Sequence, residues 1–114
     1  MTTSDDLPIE ISVDEVRAMR QSGDPFLLLD VREPDEYETA RIDGSTLIPM
    51  SELGDRLDEL EGKESNRIVV HCHHGGRSRQ VTEALRGRGF KAVQNMTGGI
   101  EQWSRTVDPE VPRY

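Results

Sequence analysis

Phe26-Leu-Leu-Leu-Asp-Val31 is a continuous apolar run with no alternation of apolar and polar residues. A strand that is apolar on both sides must be covered on both sides, which points to a parallel sheet between helices. The rest of the chain supplies such a pattern. Ile9 to Ile11 reads as a first strand, and Ser12-Val-Asp-Glu15 as a capping box that starts a helix carrying Val13, Val16 and Met19 on one face. Gly23 ends that helix. After the apolar run, Pro34 suits a first helical turn. Ile42 to Pro49 reads as a turn and a brief strand. Ser51 then caps a helix with Leu53, Leu57 and Leu60 at helical spacing, stopped by Gly62. Ile68 to His71 forms a strand, and Val81, Ala84 and Leu85 mark a helix ended by Gly87 and Gly89. Phe90 to Met96 forms a last strand, and a final helix starts at Ile100 to Trp103 after Gly98-Gly99. Strands alternating with helices give an α/β domain with a mainly parallel sheet.

The chain has 114 residues, the size of one domain, taken here as residues 1–114 with a flexible N-terminus (1–7) and a surface tail (106–114). Its 14 basic and 22 acidic residues give a formal net charge of −8, which argues against nucleic acid and anionic membranes as partners. No apolar stretch approaches the ~18 residues needed to cross a bilayer. The start, MTTSDDLP, lacks the basic and apolar regions of a signal peptide. A single cysteine, Cys72, excludes an internal disulfide and fits a reducing cytoplasm.

Chemistry concentrates around Cys72. The strand Ile68–His71 delivers it to a carboxyl end, where ligands bind in open parallel sheets. Gly75 and Gly76 let the following backbone curl into an anion-binding nest, ahead of a helix N-terminus whose dipole adds positive potential. His71, His73, His74, Arg77 and Arg79 add polar or cationic character. Each effect favours thiolate, so the expected Cys72 pKa lies below the free value of ~8.5. A buried structural cysteine needs no Gly-Gly-Arg-Ser loop. A metal is disfavoured, because four adjacent ligands in HCHH cannot easily converge on one ion and no separated ligand pair exists. No cofactor is expected.

Cys72-His-His-Gly-Gly-Arg-Ser78 resembles the active-site loop of the rhodanese-like sulfurtransferases. Three further motifs stand in the family's order: Asp30-Val-Arg-Glu-Pro-Asp-Glu-Tyr37, then Ile42-Asp-Gly44 with Ile48-Pro49, then Gly98-Gly99-Ile100 with Trp103. The loop wording and the tail VDPEVPRY look most like rhodanese domains fused to enzymes that adenylate sulfur carriers. Two departures are Ala40-Arg41 where the family has Gly-His, and Ser45 where it has alanine.

The resemblance implies a three-layer α/β/α fold with a five-stranded sheet and Cys72 as a nucleophile that becomes a persulfide. The donor would be a small anion such as thiosulfate, and the acceptor cyanide, a thiol or a sulfur-carrier protein. His73, His74, Gly75, Gly76, Arg77 and Ser78 would form the binding loop. Its amides from His73 to Arg77 would hold the persulfide, and Arg77 would hold the loop or the donor. Ser78 would cap the helix or touch the thiolate. Asp30 and Arg32 would brace the loops through buried pairing with Glu36, and Trp103 would line core or pocket. Arg41 either takes the family histidine's place or points outward, and His73 and His74 either bind substrate, tune the thiol or face solvent. Two rivals remain. A cysteine phosphatase or arsenate reductase uses a similar cradle, but its loop has five residues between cysteine and arginine where this chain has four, His73 to Gly76. A silent binding module would have no use for Cys72, although a sulfur relay to a carrier protein would blur that distinction.

Overall fold

The computed structural model describes residues 7–114. Ten elements follow in order: β1 (Glu10–Ile11), α1 (Val13–Ser22), β2 (Leu27–Asp30), α2 (Pro34–Thr39), β3 (Thr46–Leu47), a 3₁₀ stretch (Met50–Leu60), β4 (Arg67–His71), α3 (Gly76–Gly87), β5 (Ala92–Met96) and α4 (Gly99–Thr106). The strands make one sheet in the order β1-β5-β4-β2-β3, with every neighbouring pair parallel. This is the three-layer α/β/α arrangement that the resemblance implies, and the sheet is wholly rather than mainly parallel.

Strand periodicity divides the core in two. On one face Leu28 and Val69 meet Val16 and Met19 of α1 and Ile100 and Trp103 of α4. On the other, Leu29, Ile68, Val70 and Cys72 meet Leu53 and Leu60 of the 3₁₀ stretch and Val81 and Leu85 of α3. Because both faces are covered, an unbroken apolar run suits β2.

The capping box at Ser12 and Glu15 forms as expected, with Gly23 closing α1 at φ +78°. The helix expected from Leu53, Leu57 and Leu60 differs. It is a 3₁₀ stretch broken at Arg56 (φ −117°, ψ 16°) and preceded by Pro49, while Ser51 donates to Glu33 instead of capping. Gly54 within it weakens an α-helix by about 1 kcal/mol relative to alanine, and i→i+3 bonds still turn Leu53 and Leu60 inward.

Residues 1–6 of the expected flexible N-terminus lie outside the described residues; the Leu7 carbonyl accepts from Arg86 at 3.0 Å. The tail is fastened to the rest of the fold. Val111 is buried and its carbonyl accepts from the Ser104 hydroxyl, and Arg113 pairs with Glu101 at 2.7 Å. Among the described residues, no helix is long and apolar enough to cross a membrane.

His71 contradicts the expectation that it helps polarise the thiol. Side chains alternate along β4, so His71 lies on the sheet face opposite Cys72, fully buried. Its Nε2 is 3.9 Å from Asp30 Oδ2. Burial holds the imidazole neutral and pushes its pKa down to about 4, against the opposing pull of Asp30. The unfolded chain takes up a proton below about 6.5, whereas the folded chain resists until about 4. Stability is therefore complete above pH 6.5 and falls as pH drops through that window. We expect His71 to cost the fold about 2 kcal/mol at pH 5, and His71→Gln to flatten this slope in urea unfolding across pH 5 to 7.5.

Candidate active site

The Cys72 loop is shaped by two helix starts. α3 begins at Gly76, and its cap residue Gly75 adopts φ +113°, a conformation that side chains disfavour. This turn aims the Gly75 amide at Cys72 Sγ (3.2 Å) and lets the Ser78 amide follow (3.4 Å). The carbonyls on the other side of the loop are taken by α4. Ile100 N–H donates to the Cys72 carbonyl (2.9 Å) and Glu101 N–H to that of His73 (3.1 Å). α4 comes this close because Gly99 sits at φ +59° with no side chain; a Cβ there would lie 2.5 Å from both carbonyl oxygens.

Ser78 is fully buried, with Oγ 3.3 Å from Sγ. It also makes a short hydrogen bond to Asn95 Oδ1. The Asn95 amide is oriented by its donations to Glu10 (3.1 Å) and the Gly75 carbonyl (3.2 Å), which leaves Oδ1 facing Ser78. The hydroxyl has one proton to give, to Asn95 or to sulfur, and negative charge on sulfur draws it there. Burial pushes the Cys72 pKa up, but the Ser78 hydroxyl and the amides of Ser78, Gly75 and Arg77 outweigh it, and the net shift is downward. Thus Gly75, Arg77 and Ser78 are the residues whose groups favour the thiolate.

The charged residues pair differently from expectation. Asp30 and Arg32, both without solvent exposure, bond to each other, with Nη2 to Oδ2 at 2.7 Å and Nε to Oδ1 at 3.0 Å. Arg32 reaches only the main-chain carbonyl of Glu36 (3.3 Å) and holds that of Ala40 (2.6 Å). The Glu36 carboxylate belongs to Arg77, which grips it in bidentate fashion at 2.7 and 2.9 Å. Arg77 holds its carboxyl down at about 2, against burial. A buried charge left single is far costlier than a pair, so Asp30 and Arg32 hold each other in place, while Glu36 and Arg77 form a partly exposed bidentate link between the two loops. Arg79 faces away, paired with Glu10 (2.7 Å) and Glu83 (3.2 Å). Arg41 is exposed over the Tyr37 ring at 5.1 Å, so it points outward. Trp103 is buried in the α1/α4 core.

His73 is half-buried and stacked on the Tyr114 ring, with centroids 4.0 Å apart and planes 10° apart. Burial, and then His74, push its pKa down. His74 and Gly76 are exposed. Among the described residues, no group of three or more His, Cys, Asp or Glu side chains could hold a metal ion.

Residues 12–106 match the family model of the rhodanese-like domain. The chain belongs to that family. The rhodanese-like domain here is 36% identical over 109 residues to an adenylyltransferase and sulfurtransferase of Zea mays, covering 91% of this chain and 23% of the relative. It is 37% identical over 95 residues to a candidate sulfur carrier protein of Bacillus subtilis, covering 83% of this chain and 50% of that protein. The chain thus spans half or less of these relatives. Among solved structures, it is similar to the human single-domain sulfurtransferase, at a TM-score of 0.77 and 27% identity, covering 88% and 98% of the two chains.

Asn95 and Tyr114 were not identified as site residues from sequence. A polar Gln94-Asn95 pair inside a five-residue strand that is buried throughout is the signal that marks Asn95. Tyr114 carries no local signal, since only the folded tail brings it to the loop. Two outcomes follow. Ser78→Ala should shift the pH midpoint of Cys72 alkylation by iodoacetamide upward and slow the reaction at neutral pH. Gly99→Ala should destabilise the protein by more than about 2 kcal/mol in urea unfolding, through the left-handed backbone and the collision with two carbonyls.

Proposed function

We propose that this domain is a rhodanese-type sulfurtransferase that carries sulfane sulfur on Cys72. The observation that carries this reading is the convergence of the Gly75 and Ser78 amides and the Ser78 hydroxyl on one buried thiol. The Cys72 thiolate attacks the outer sulfur of thiosulfate, the bond between the two sulfurs breaks, and sulfite leaves with the electron pair. The product is a Cys72 persulfide, whose charge falls where the loop amides already point, as in an oxyanion hole. A thiol or cyanide then attacks the outer sulfur and returns the thiolate, which gives ping-pong kinetics. The chain holds no second cysteine, so the sulfur must leave to an outside acceptor.

A protein persulfide as donor and a sulfur-carrier protein as acceptor fit the same chemistry. The relatives named for joint adenylyltransferase and sulfurtransferase activity, and for sulfur carriage, favour this relay. The short loop argues against phosphatase chemistry. Four residues between Cys72 and Arg77 leave room for one sulfur rather than a phosphoryl group with three oxygens, and Arg77 is already occupied by Glu36. The absence of a transmembrane pattern and the lone thiol fit a cytoplasmic setting.

Intact mass spectrometry after incubation with thiosulfate should show the addition of one sulfur atom, released by cyanide. Cys72→Ser should show none. A wild-type protein that gains no releasable sulfur from thiosulfate or from a persulfide donor would refute the reading. Aryl phosphate hydrolysis lost in Cys72→Ser would favour the phosphatase.

A further inference from the structure

The tail brings Tyr114 to the mouth of the loop, where it makes two hydrogen bonds, a ring stack and a cation–π contact with Arg32 at 5.6 Å. Its hydroxyl accepts from Arg32 Nη1 (2.8 Å) and donates to Glu36 Oε2 (2.8 Å), and its ring stacks on His73 at 4.0 Å. Glu36 is therefore flanked by two guanidinium groups, Arg77 on one side and Arg32 on the other, with the Tyr114 oxygen standing between Glu36 and Arg32. One hydroxyl satisfies both neighbours, since it can accept and donate at the same time. Arg32 then makes no bond to the Glu36 carboxylate, whose one guanidinium partner is Arg77, with the Glu33 amide (3.0 Å) and the Tyr114 hydroxyl as further donors.

We propose that Tyr114 is a positioning residue for the sulfur-accepting loop, keeping Glu36 on Arg77 through its hydroxyl and holding His73 through its ring. It thereby secures both ends of the segment from His73 to Arg77, which follows Cys72 directly. The tail can do this because it is anchored behind Tyr114 by Val111 against α4 and by Arg113 on Glu101, whose own amide holds the His73 carbonyl. Without the hydroxyl, Arg32 Nη1 keeps only the Glu36 main-chain carbonyl at 3.3 Å, and the carboxylate that the hydroxyl linked to it is that of Glu36. The carboxylate then divides between two guanidinium groups, and Arg77 is released for part of the time.

The kinetic part of this inference rests on the sulfurtransferase reading, and the structural part does not. The test compares wild type, Tyr114→Phe, Glu36→Gln and the double variant. In Tyr114→Phe, amide hydrogen exchange at Gly75 to Ser78 should become faster by about three- to tenfold, the scale of one charge-assisted hydrogen bond shared between two partners. Exchange in β4 and β5 should not change. KM for thiosulfate should rise by a similar factor with kcat held within about twofold, and Tyr114→Phe should add nothing further on the Glu36→Gln background. Unchanged loop exchange in Tyr114→Phe would overturn the proposal whatever the kinetics. So would equal acceleration in the strands, which indicates general loss of stability, or losses from the two single variants that multiply. If the loop loosens as described while the wild type takes up no sulfur, the positioning role stands and the sulfurtransferase reading falls.

Discussion

The site depends on where α4 begins. Two amides at its start take the carbonyl oxygens of Cys72 and His73, which turns those carbonyls away from the thiol. The amides on the other side of the loop are then free to face sulfur. A peptide chain alternates donor and acceptor along its length, so a run of donors can converge on one atom only if something else accepts the burden of the acceptors. α4 is that partner, and it approaches closely enough because Gly99 has no side chain to meet the two oxygens. α3 supplies the complementary half, with Gly75 bending the chain and Ser78 placing an amide and a hydroxyl at the same sulfur.

Around this neutral cradle the charges are held in pairs. Asp30 and Arg32 are buried together, and Glu36 and Arg77 clasp each other across the gap between α2 and α3. The thiolate is therefore stabilised mainly by hydrogen bonds from fixed dipoles rather than by an open cation beside it. Such dipoles are already oriented before any charge appears, so little reorganisation is needed when the sulfur becomes charged. The same pairing keeps a chain with net charge −8 from placing a lone carboxylate at the loop. The carboxylates near the loop are already engaged by guanidinium groups.

Much of this could be read from residues close together in the chain. The apolar run of β2, the capping box at Ser12 and the glycines around Cys72 act over a few residues, and each has one plain physical meaning. The reading weakened wherever a side chain's direction mattered. His71 is the neighbour of Cys72 in sequence, yet strand alternation places it across the sheet as a neutral buried ring. Arg79 is two residues from Arg77, yet it turns to Glu10 on β1. Leu53, Leu57 and Leu60 have the spacing of an α-helix, and the chain meets the same burial requirement with a broken 3₁₀ stretch.

By itself, the sequence determined the alternation of strands and helices, the parallel sheet, and a lone thiol at a strand end before a glycine turn. These follow from local conformational preference and from the need to bury apolar surface on both sides of the strands. Only the tertiary structure decided which partners the charged and polar groups took. Glu36 chose Arg77 over Arg32, Asn95 came to orient Ser78, and Tyr114 reached the loop from the far end of the tail. A carboxylate or a hydroxyl can bond to several groups equally well. Its choice depends on distances between segments far apart in the chain, which exist only once the core has packed.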